Sequence, residues 1–129
     1  MTTVGEIMSR GLLTVEESTA LTEAARQMDG RKVGAALVLT GGRLVGILTE
    51  RDVLRAVAAG KIDEATVDGW MTRDPETVEP SEGTGQAAAL MIHGGFRHLP
   101  VLDGTEPVGI ISIRDLVGVV LPDESPRGA

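Results

Sequence analysis

The chain has 129 residues, the size of one ordinary domain, and 42% of them are hydrophobic, which is enough to form a core. Its 12 Lys and Arg against 19 Asp and Glu give a net charge of −7, and this acidity argues against nucleic-acid binding, which needs a basic surface. There is no Cys, which excludes disulfides and Cys-ligated metal sites, and the only aromatic residues are Trp70 and Phe96, too few for a base-stacking platform.

The first residues, 1–6, contain neither the basic segment nor the apolar segment that is typical of a signal peptide. No apolar run farther along the chain approaches the length that crosses a membrane. We therefore expect a soluble cytoplasmic protein with no membrane partner.

The chain repeats itself at an offset of 63 positions. Residues 4–54 align without a gap with residues 67–117, and 18 of the 51 aligned pairs are identical, among them Met8 with Met71. Chance gives far fewer identities, so the sequence indicates an internal duplication. The two halves should share one fold and meet about a pseudo-two-fold axis.

Each half predicts the same order of elements, β-α-β-β-α. The apolar positions of its first helix recur at i, i+3, i+4 and i+7, which is one face of an amphipathic helix. Two apolar runs joined by a Gly-containing turn then predict a β-hairpin, and a second helix closes the unit. The predicted elements are extended segments at 13–15 and 76–78, helices at 21–28 and 84–91, hairpins at 35–48 and 99–111, and closing helices from 50 to about 60 and from 113 to about 121. The predicted fold class is α+β, with two such repeats packed about the pseudo-two-fold axis.

These patterns divide the chain into four segments. The first repeat covers residues 1–60, a linker covers 61–66, the second repeat covers 67–121, and a polar, mobile tail covers 122–129. A half of about 60 residues is too small to be stable alone, so we expect the two repeats to depend on each other.

Motifs at matched places in the two halves carry a resemblance to a known family. Each closing helix begins in a motif made of a Gly, two apolar residues, a Thr or Ser, and an Asp three residues after it. The segments concerned are Gly46–Asp52 and Gly109–Asp115, supported by Val4–Met8, Val67–Met71 and Phe96–Val101. Over residues 4–121 the chain resembles a tandem pair of cystathionine-β-synthase (CBS) domains, a Bateman module, of the small stand-alone bacterial kind.

The resemblance implies a non-catalytic regulatory module. It implies that an adenosine-type nucleotide (AMP, ADP, ATP or S-adenosylmethionine) binds in clefts between the repeats, as a ligand rather than as a catalytic cofactor. It further implies a homodimer formed through helical faces, and a regulated protein partner that the sequence does not identify.

The pairs Thr49 with Asp52 and Ser112 with Asp115 have two interpretations, which stay open at this point. Each pair forms a capping box at a strand-to-helix turn, where side chains satisfy the first N–H groups of the helix. The same geometry offers an anion site at a helix N-terminus. In the resembled family the Asp holds the ribose hydroxyls and the Thr or Ser lies beside the phosphates.

The placement of cations favours a phosphate pocket. Residues 64–129 hold eleven Asp and Glu but only four Arg, and Arg73, Arg97 and Arg114 stand at motif positions. The alternative is that these Arg form surface ion pairs with the abundant carboxylates. His98, directly after Arg97, is interpreted equally well as a ligand-binding residue or as a structural residue of its strand.

Pseudo-symmetry predicts two clefts. One is expected to combine Thr49, Arg51, Asp52, Thr72, Arg73, Arg97 and His98. The other is expected to combine Ser9, Arg10, Gly34, Ala35, Ser112, Arg114 and Asp115. We expect the first cleft to favour phosphates more, because it alone includes Arg97 and His98.

Two other functions compete with nucleotide sensing. An enzyme is disfavoured, because the sequence contains no nucleophile–base pair, no metal-ligand spacing and no glycine-rich phosphate loop. A ligand-free module for dimerisation and protein interaction is the alternative, since the Ala-rich helix over residues 53–59 would permit close contact between helices.

Overall fold

The computed structural model of the chain describes residues 1–120, and the side chains of residues 1–119. The predicted tail, 122–129, and the predicted end of the last helix at Leu121 lie outside the described residues. In chain order the elements are α1 (Val4–Ile7), β1 (Thr14–Glu16), α2 (Leu21–Arg31), β2 (Ala35–Thr40), β3 (Arg43–Thr49), α3 (Glu50–Ala58), β4 (Thr72–Arg73), α4 (Thr84–Gly94), β5 (His98–Asp103), β6 (Glu106–Ser112) and α5 (Ile113–Val120), with 3₁₀ turns at Ile62–Glu64 and Val67–Gly69. No helix in this part of the chain is both long and apolar enough to cross a membrane.

The strands form two sheets that are counterparts of each other. In the first the order is β1-β2-β3-β4, with β1 parallel to β2 and the remaining pairs antiparallel. In the second, β5 pairs with β6 as an antiparallel hairpin. Both hairpins carry an irregularity at the same place, after Val38 in one and after Val101 in the other. Helices α2 and α3 pack on the first sheet and α4 and α5 on the second, which confirms the predicted α+β repeat.

The extended segment predicted to end at Val78 is reduced to a single bridge between Val78 and Val101. In the first repeat, the N–H of Leu37 donates to the carbonyl of Leu13 at 2.9 Å and lengthens the β1–β2 ladder. The counterpart of Leu37 is Pro100, which has no N–H to donate. The second repeat therefore lacks this bond, and the prediction of a strand is wrong in this copy.

The segment that opens each half packs against the other half. These lead-in segments are residues 1–12 and 64–75. The N–H of Val4 donates to the carbonyl of Glu82 at 2.8 Å, and the N–H of Val67 donates to the carbonyl of Thr19 at 2.9 Å. Val67 is the counterpart of Val4, and Thr19 is the counterpart of Glu82, at the offset of 63 positions. The two bonds are therefore equivalent, and each lead-in segment packs on the opposite half in the same way.

The same exchange completes the edges of both sheets. Ser9 bridges to Ile110 of β6, with backbone hydrogen bonds of 2.8 and 3.0 Å. Its counterpart Thr72, in β4, pairs with Ile47 of β3. Reciprocal contacts of this kind are those of a pseudo-two-fold axis, as the duplication predicts.

Each hydrophobic core is completed by the lead-in segment of the other half. Val4 and Met8 are buried in the core of the second sheet, and Val67 and Met71 in the core of the first. Burying one such side chain contributes on the order of 1.5–3 kcal/mol. A half by itself would lack two of its buried side chains and expose two others, so the two repeats stabilise each other.

Candidate ligand-binding cleft

A cavity of about 720 Å³ lies between the two repeats, a volume within the range of small-molecule sites. Its polar lining residues are Ser9, Asp29, Lys32, Glu50, Arg97, His98, Ser112, Arg114 and Asp115, and its apolar ones include Leu12, Leu13, Met28, Val33, Leu37, Val53 and Ile110. Four of the apolar lining residues belong to the cluster that joins the two sheets: Leu12, Ala35, Leu37 and Ile110. Among residues 1–120, no three His, Asp or Glu side chains lie close enough together to hold a metal ion.

The turn from β6 into α5 brings a hydroxyl and a carboxylate to one side of this cavity. The Oδ2 atom of Asp115 accepts a hydrogen bond from the backbone N–H of Ser112 at 2.8 Å, and the N–H of Asp115 donates to Ser112 Oγ at 3.2 Å. This reciprocal arrangement is a capping box. It orients the first turn of α5, whose Arg114 also lines the cavity.

The other strand of the same hairpin brings Arg97 and His98 to this turn. His98 pairs with Ser112 across β5 and β6, and the carbonyl of Arg97 accepts from the N–H of Ile113 at 2.9 Å. The expected grouping of Arg97 and His98 with Thr49 and the rest of the first predicted cleft is therefore wrong. The reason is register, because the start of one hairpin strand lies beside the end of its partner.

The counterpart turn, from β3 into α3, is occupied by its own cap. Asp52 Oδ2 accepts from the N–H of Thr49 at 2.9 Å and from its hydroxyl at 3.1 Å, while Oδ1 accepts from Arg55 at 3.3 Å. The Asp52 side chain is 8% exposed, and neither it nor Thr49 lines the 720 Å³ cavity. For this pair the structure favours the capping interpretation.

The two turns differ because of one cation. Arg55 is held between the carboxylate of Asp52 and the ring of Trp70, with its guanidinium 5.7 Å from the ring centroid. The position equivalent to Arg55 in the second repeat is Gly118. Within the described residues Asp115 forms no ion pair, so no cation is held against its carboxylate as Arg55 is held against that of Asp52.

Arg10 and Arg73 hold the lead-in segments instead of lining the cavity. An Nη2 atom of Arg10 donates to the carbonyl of Gly5, and one of Arg73 donates to the carbonyl of Asp68, each at 3.4 Å. Arg73 also lies 3.7 Å from a carboxylate oxygen of Glu17. For Arg73, the structure favours the interpretation as a surface ion pair over that as part of a phosphate pocket.

The structure thus brings together eight of the fourteen residues predicted for the two clefts. The eight that line the cavity are Ser9, Gly34, Ala35, Arg97, His98, Ser112, Arg114 and Asp115. The six that do not are Arg10, Thr49, Arg51, Asp52, Thr72 and Arg73. The cavity combines the second predicted cleft, apart from Arg10, with Arg97 and His98, which were expected in the first.

The family model of the CBS domain matches residues 4–59 and again residues 66–122. The chain belongs to the CBS-domain family. Its two matches make it a tandem CBS pair, as the repeated motifs suggested.

Known proteins of the family resemble this CBS pair over its whole length. It is 32% identical over 130 residues to the CBS domain-containing protein YhcV of Bacillus subtilis, covering all of this chain and 93% of that one. It spans only 43% of a longer relative, MJ1225 of Methanocaldococcus jannaschii, to which it is 35% identical. A solved CBS-domain structure from Burkholderia ambifaria matches with a TM-score of 0.90 at 37% identity, over 99% of this chain and 100% of that one.

Two similar structures of CBS proteins contain adenosine derivatives. The CBS pair of protein MJ0100, solved with 5′-methylthioadenosine and S-adenosyl-L-methionine, matches with a TM-score of 0.89 at 26% identity, over 96% of this chain and 99% of that one. PAE2072 of Pyrobaculum aerophilum, complexed with AMP, matches with a TM-score of 0.83 at 29% identity, over 89% of this chain and 90% of that one. These ligands are properties of those two proteins.

Three charged residues of the cavity were missed by sequence reasoning: Asp29, Lys32 and Glu50. Lys32 ends α2 in the left-handed conformation, with φ of 56°, two residues before Gly34. The sequence could have indicated Lys32, because the end of α2 must lie beside the start of the strand that follows it, where Gly34 was already expected in a cleft. Glu50 likewise lies inside the family motif, one residue after Thr49.

His98 is half-buried at the border of the two repeats. Burial lowers the pKa of its imidazole, and the neighbouring guanidinium of Arg97 lowers it further. The carboxylates of Glu50 and Asp115 act in the opposite direction, but the pKa remains below its ordinary value. His98 is therefore held in its neutral form near pH 7.

We predict that His98 makes the CBS pair less stable in acid. Because its pKa is lowered in the folded state, the unfolded chain binds the proton more readily, so the stability that His98 contributes is present above the unfolded pKa and is lost as the pH falls through the folded pKa. Between about pH 8 and about pH 5, the thermal midpoint of the wild type should fall more than that of His98→Gln. His93→Gln, at an exposed position, is the control and should follow the wild type. Parallel curves for wild type and His98→Gln would contradict the prediction.

Proposed function

We propose that this CBS pair is a non-catalytic regulatory module that binds an adenosine-type nucleotide in the cleft between its repeats. The observation that carries the proposal is the 720 Å³ cavity, into which the second repeat contributes Ser112, Asp115, Arg97 and His98 and the first contributes Gly34. The adenosine derivatives in the structures of MJ0100 and PAE2072 support the choice of ligand class.

The chemistry of the lining residues suits the parts of such a ligand. The carboxylate of Asp115 can accept hydrogen bonds from both ribose hydroxyls, since it lines the cavity and forms no ion pair within the described residues. The N-terminus of α5, with Arg97 and Arg114 beside it, suits a phosphate. Apolar residues such as Leu12 and Ile110 suit the adenine base.

The regulatory mechanism follows from a ligand that touches both repeats. Such a ligand favours whichever relative arrangement of the repeats it binds more tightly, by no more than its differential affinity for the two states. A protein partner that recognises one arrangement would then respond to the ligand. We propose that this partner is the regulated protein, and that the CBS pair reports to it.

The second candidate function is a ligand-free module for dimerisation. Exposed apolar side chains occur at equivalent places on α3 and α5: Leu54 is 66% exposed and Val117, its counterpart, is 51% exposed. Val57 and Ile113, on the same two helices, are 53% and 38% exposed. Such a surface is suited to a second copy of the chain, and we propose a homodimer formed through α3 and α5.

A thermal-shift panel with AMP, ADP, ATP and S-adenosylmethionine, run beside light scattering, tests the proposed function. A ligand at about 100 times its dissociation constant stabilises the fold by roughly 2.7 kcal/mol, which raises the midpoint on the order of 10 °C in a chain of this size. We expect at least one ligand to give such a shift without being consumed. A dimer that no ligand stabilises would favour the second candidate, and turnover of the nucleotide would contradict the non-catalytic assignment.

A further inference from the structure

The charges that line the cavity are balanced. Its cationic residues are Lys32, Arg97 and Arg114, and its anionic residues are Asp29, Glu50 and Asp115. With His98 neutral, the lining carries no net positive charge. A pocket built for a polyphosphate would be expected to carry a net positive charge, since each added phosphate brings further negative charge.

Glu50 is one of two carboxylates, with Asp29, that the first repeat contributes to the cavity lining. It is the first residue of α3, and its carboxyl carbon lies 3.5 Å from where a Cβ on Gly34 would stand. His98 Nε2 lies at the same 3.5 Å from that point, so both side chains flank Gly34. Glu50 also raises the pKa of His98 more than Asp115 does, in keeping with its carboxylate lying beside that imidazole.

The carboxylate of Glu50 has no structural partner within the described part of the chain. Asp115 caps α5, whereas Glu50 forms no side-chain hydrogen bond or ion pair with any residue of 1–120. Its counterpart in the second repeat is Ile113, which carries no charge. At this position of the repeat, therefore, α3 carries a negative charge and α5 carries none.

We infer that Glu50 determines the charge specificity of the cleft, by disfavouring adenosine ligands with a polyphosphate relative to those with one phosphate or none. This inference rests on the proposed function. The mechanism is electrostatic: the unpaired carboxylate in the lining repels each added phosphate, and we expect this one charge to change the affinity for a polyphosphate about tenfold. The same carboxylate should not weaken the binding of an adenosyl ligand with an uncharged thioether, and should favour one with a cationic sulfonium.

The test compares Glu50→Gln with the wild type, using 5′-methylthioadenosine, AMP, ADP and ATP as probes in isothermal titration calorimetry. The substitution should tighten ATP binding about tenfold and ADP binding less, while changing the affinity for 5′-methylthioadenosine less than about twofold. The gain should shrink at high salt, because the interaction is screened. Glu64→Gln is the matched control, because Glu64 is exposed and does not line the cavity.

The outcomes separate the inference from the proposed function. If the wild type binds a probe but Glu50→Gln keeps the same order and ratio of affinities, the inference is overturned while the proposed function stands. The same holds if all four affinities rise equally, because a neutral thioether should not respond to the charge. If neither protein binds any probe, the proposed function fails and the inference fails with it.

Discussion

Asp115→Ala is expected to lower the affinity of the CBS pair for its adenosine ligand about 10- to 100-fold, whereas Asp52→Ala should change that affinity by less than about twofold. Hydrogen bonds to a charged group contribute about 1.5–3 kcal/mol, and the ribose hydroxyls would lose their carboxylate acceptor. Asp52 is a buried counterpart whose charge is already neutralised by Arg55 and which does not line the cavity. Dissociation constants from calorimetry, with whichever nucleotide gives the largest thermal shift, measure the contrast.

The pair of variants controls for the loss of a helix cap. Both aspartates cap a helix through the same capping box, so both variants should lose about 1–2 kcal/mol of stability by urea unfolding. Only the variant in the cavity should also lose ligand affinity. Loss of affinity in Asp52→Ala, with Asp115→Ala binding normally, would move the site to the turn from β3 into α3.

Gly46→Ala and Gly109→Ala should each destabilise the fold by about 1–3 kcal/mol. A Cβ on Gly46 would stand 2.6 Å from Met71 Sδ and 2.8 Å from the carbonyl oxygen of Thr72. A Cβ on Gly109 would meet Met8 and the carbonyl of the adjoining lead-in segment in the same way. The clash involves backbone that is paired into a sheet edge, so it cannot be relieved by rotating a side chain.

Gly85→Ala is the matched control for these two variants. Within residues 1–120, no atom apart from its chain neighbours and the backbone of its own helix lies within 4 Å of where its Cβ would stand. Gly85 lies in the first turn of α4, where Ala is the better helix former. We expect this variant to gain about 0.5 kcal/mol in urea unfolding. Because each core contains side chains from both halves, all three variants should unfold in a single transition. A neutral effect at Gly46 and Gly109 would mean that the exchanged lead-in segments are not packed against the sheets.

The duplication and the order of elements could be predicted because they depend on local information. The offset of 63 positions is visible from the sequence compared with itself, and helices and hairpins follow from the spacing of apolar residues. The strand predicted to end at Val78 is reduced to a single bridge for a reason that is not local. That strand needed an N–H from the position that Pro100 occupies on a neighbouring strand.

The candidate site was predicted in part because motif residues stand at strand ends. The sequence could name Ser112, Asp115, Arg97 and His98 but not say that they meet, since that depends on the register between β5 and β6. It also could not distinguish the two copies of the motif. The difference came from Arg55, which neutralises one aspartate and has a glycine as its counterpart.

By itself, the sequence determined that this protein is a duplicated α+β chain with two copies of one motif. Periodicity is a property of residues close together along the chain, and the repetition is visible when the sequence is compared with itself. Only the tertiary structure decided which copy faces a cavity and with which charges. Those properties depend on contacts between residues far apart along the chain, such as Glu50 beside His98 and the lead-in segments exchanged between the halves. Contacts of that kind are set by how the two sheets pack, and the sequence pattern of either half alone does not contain them.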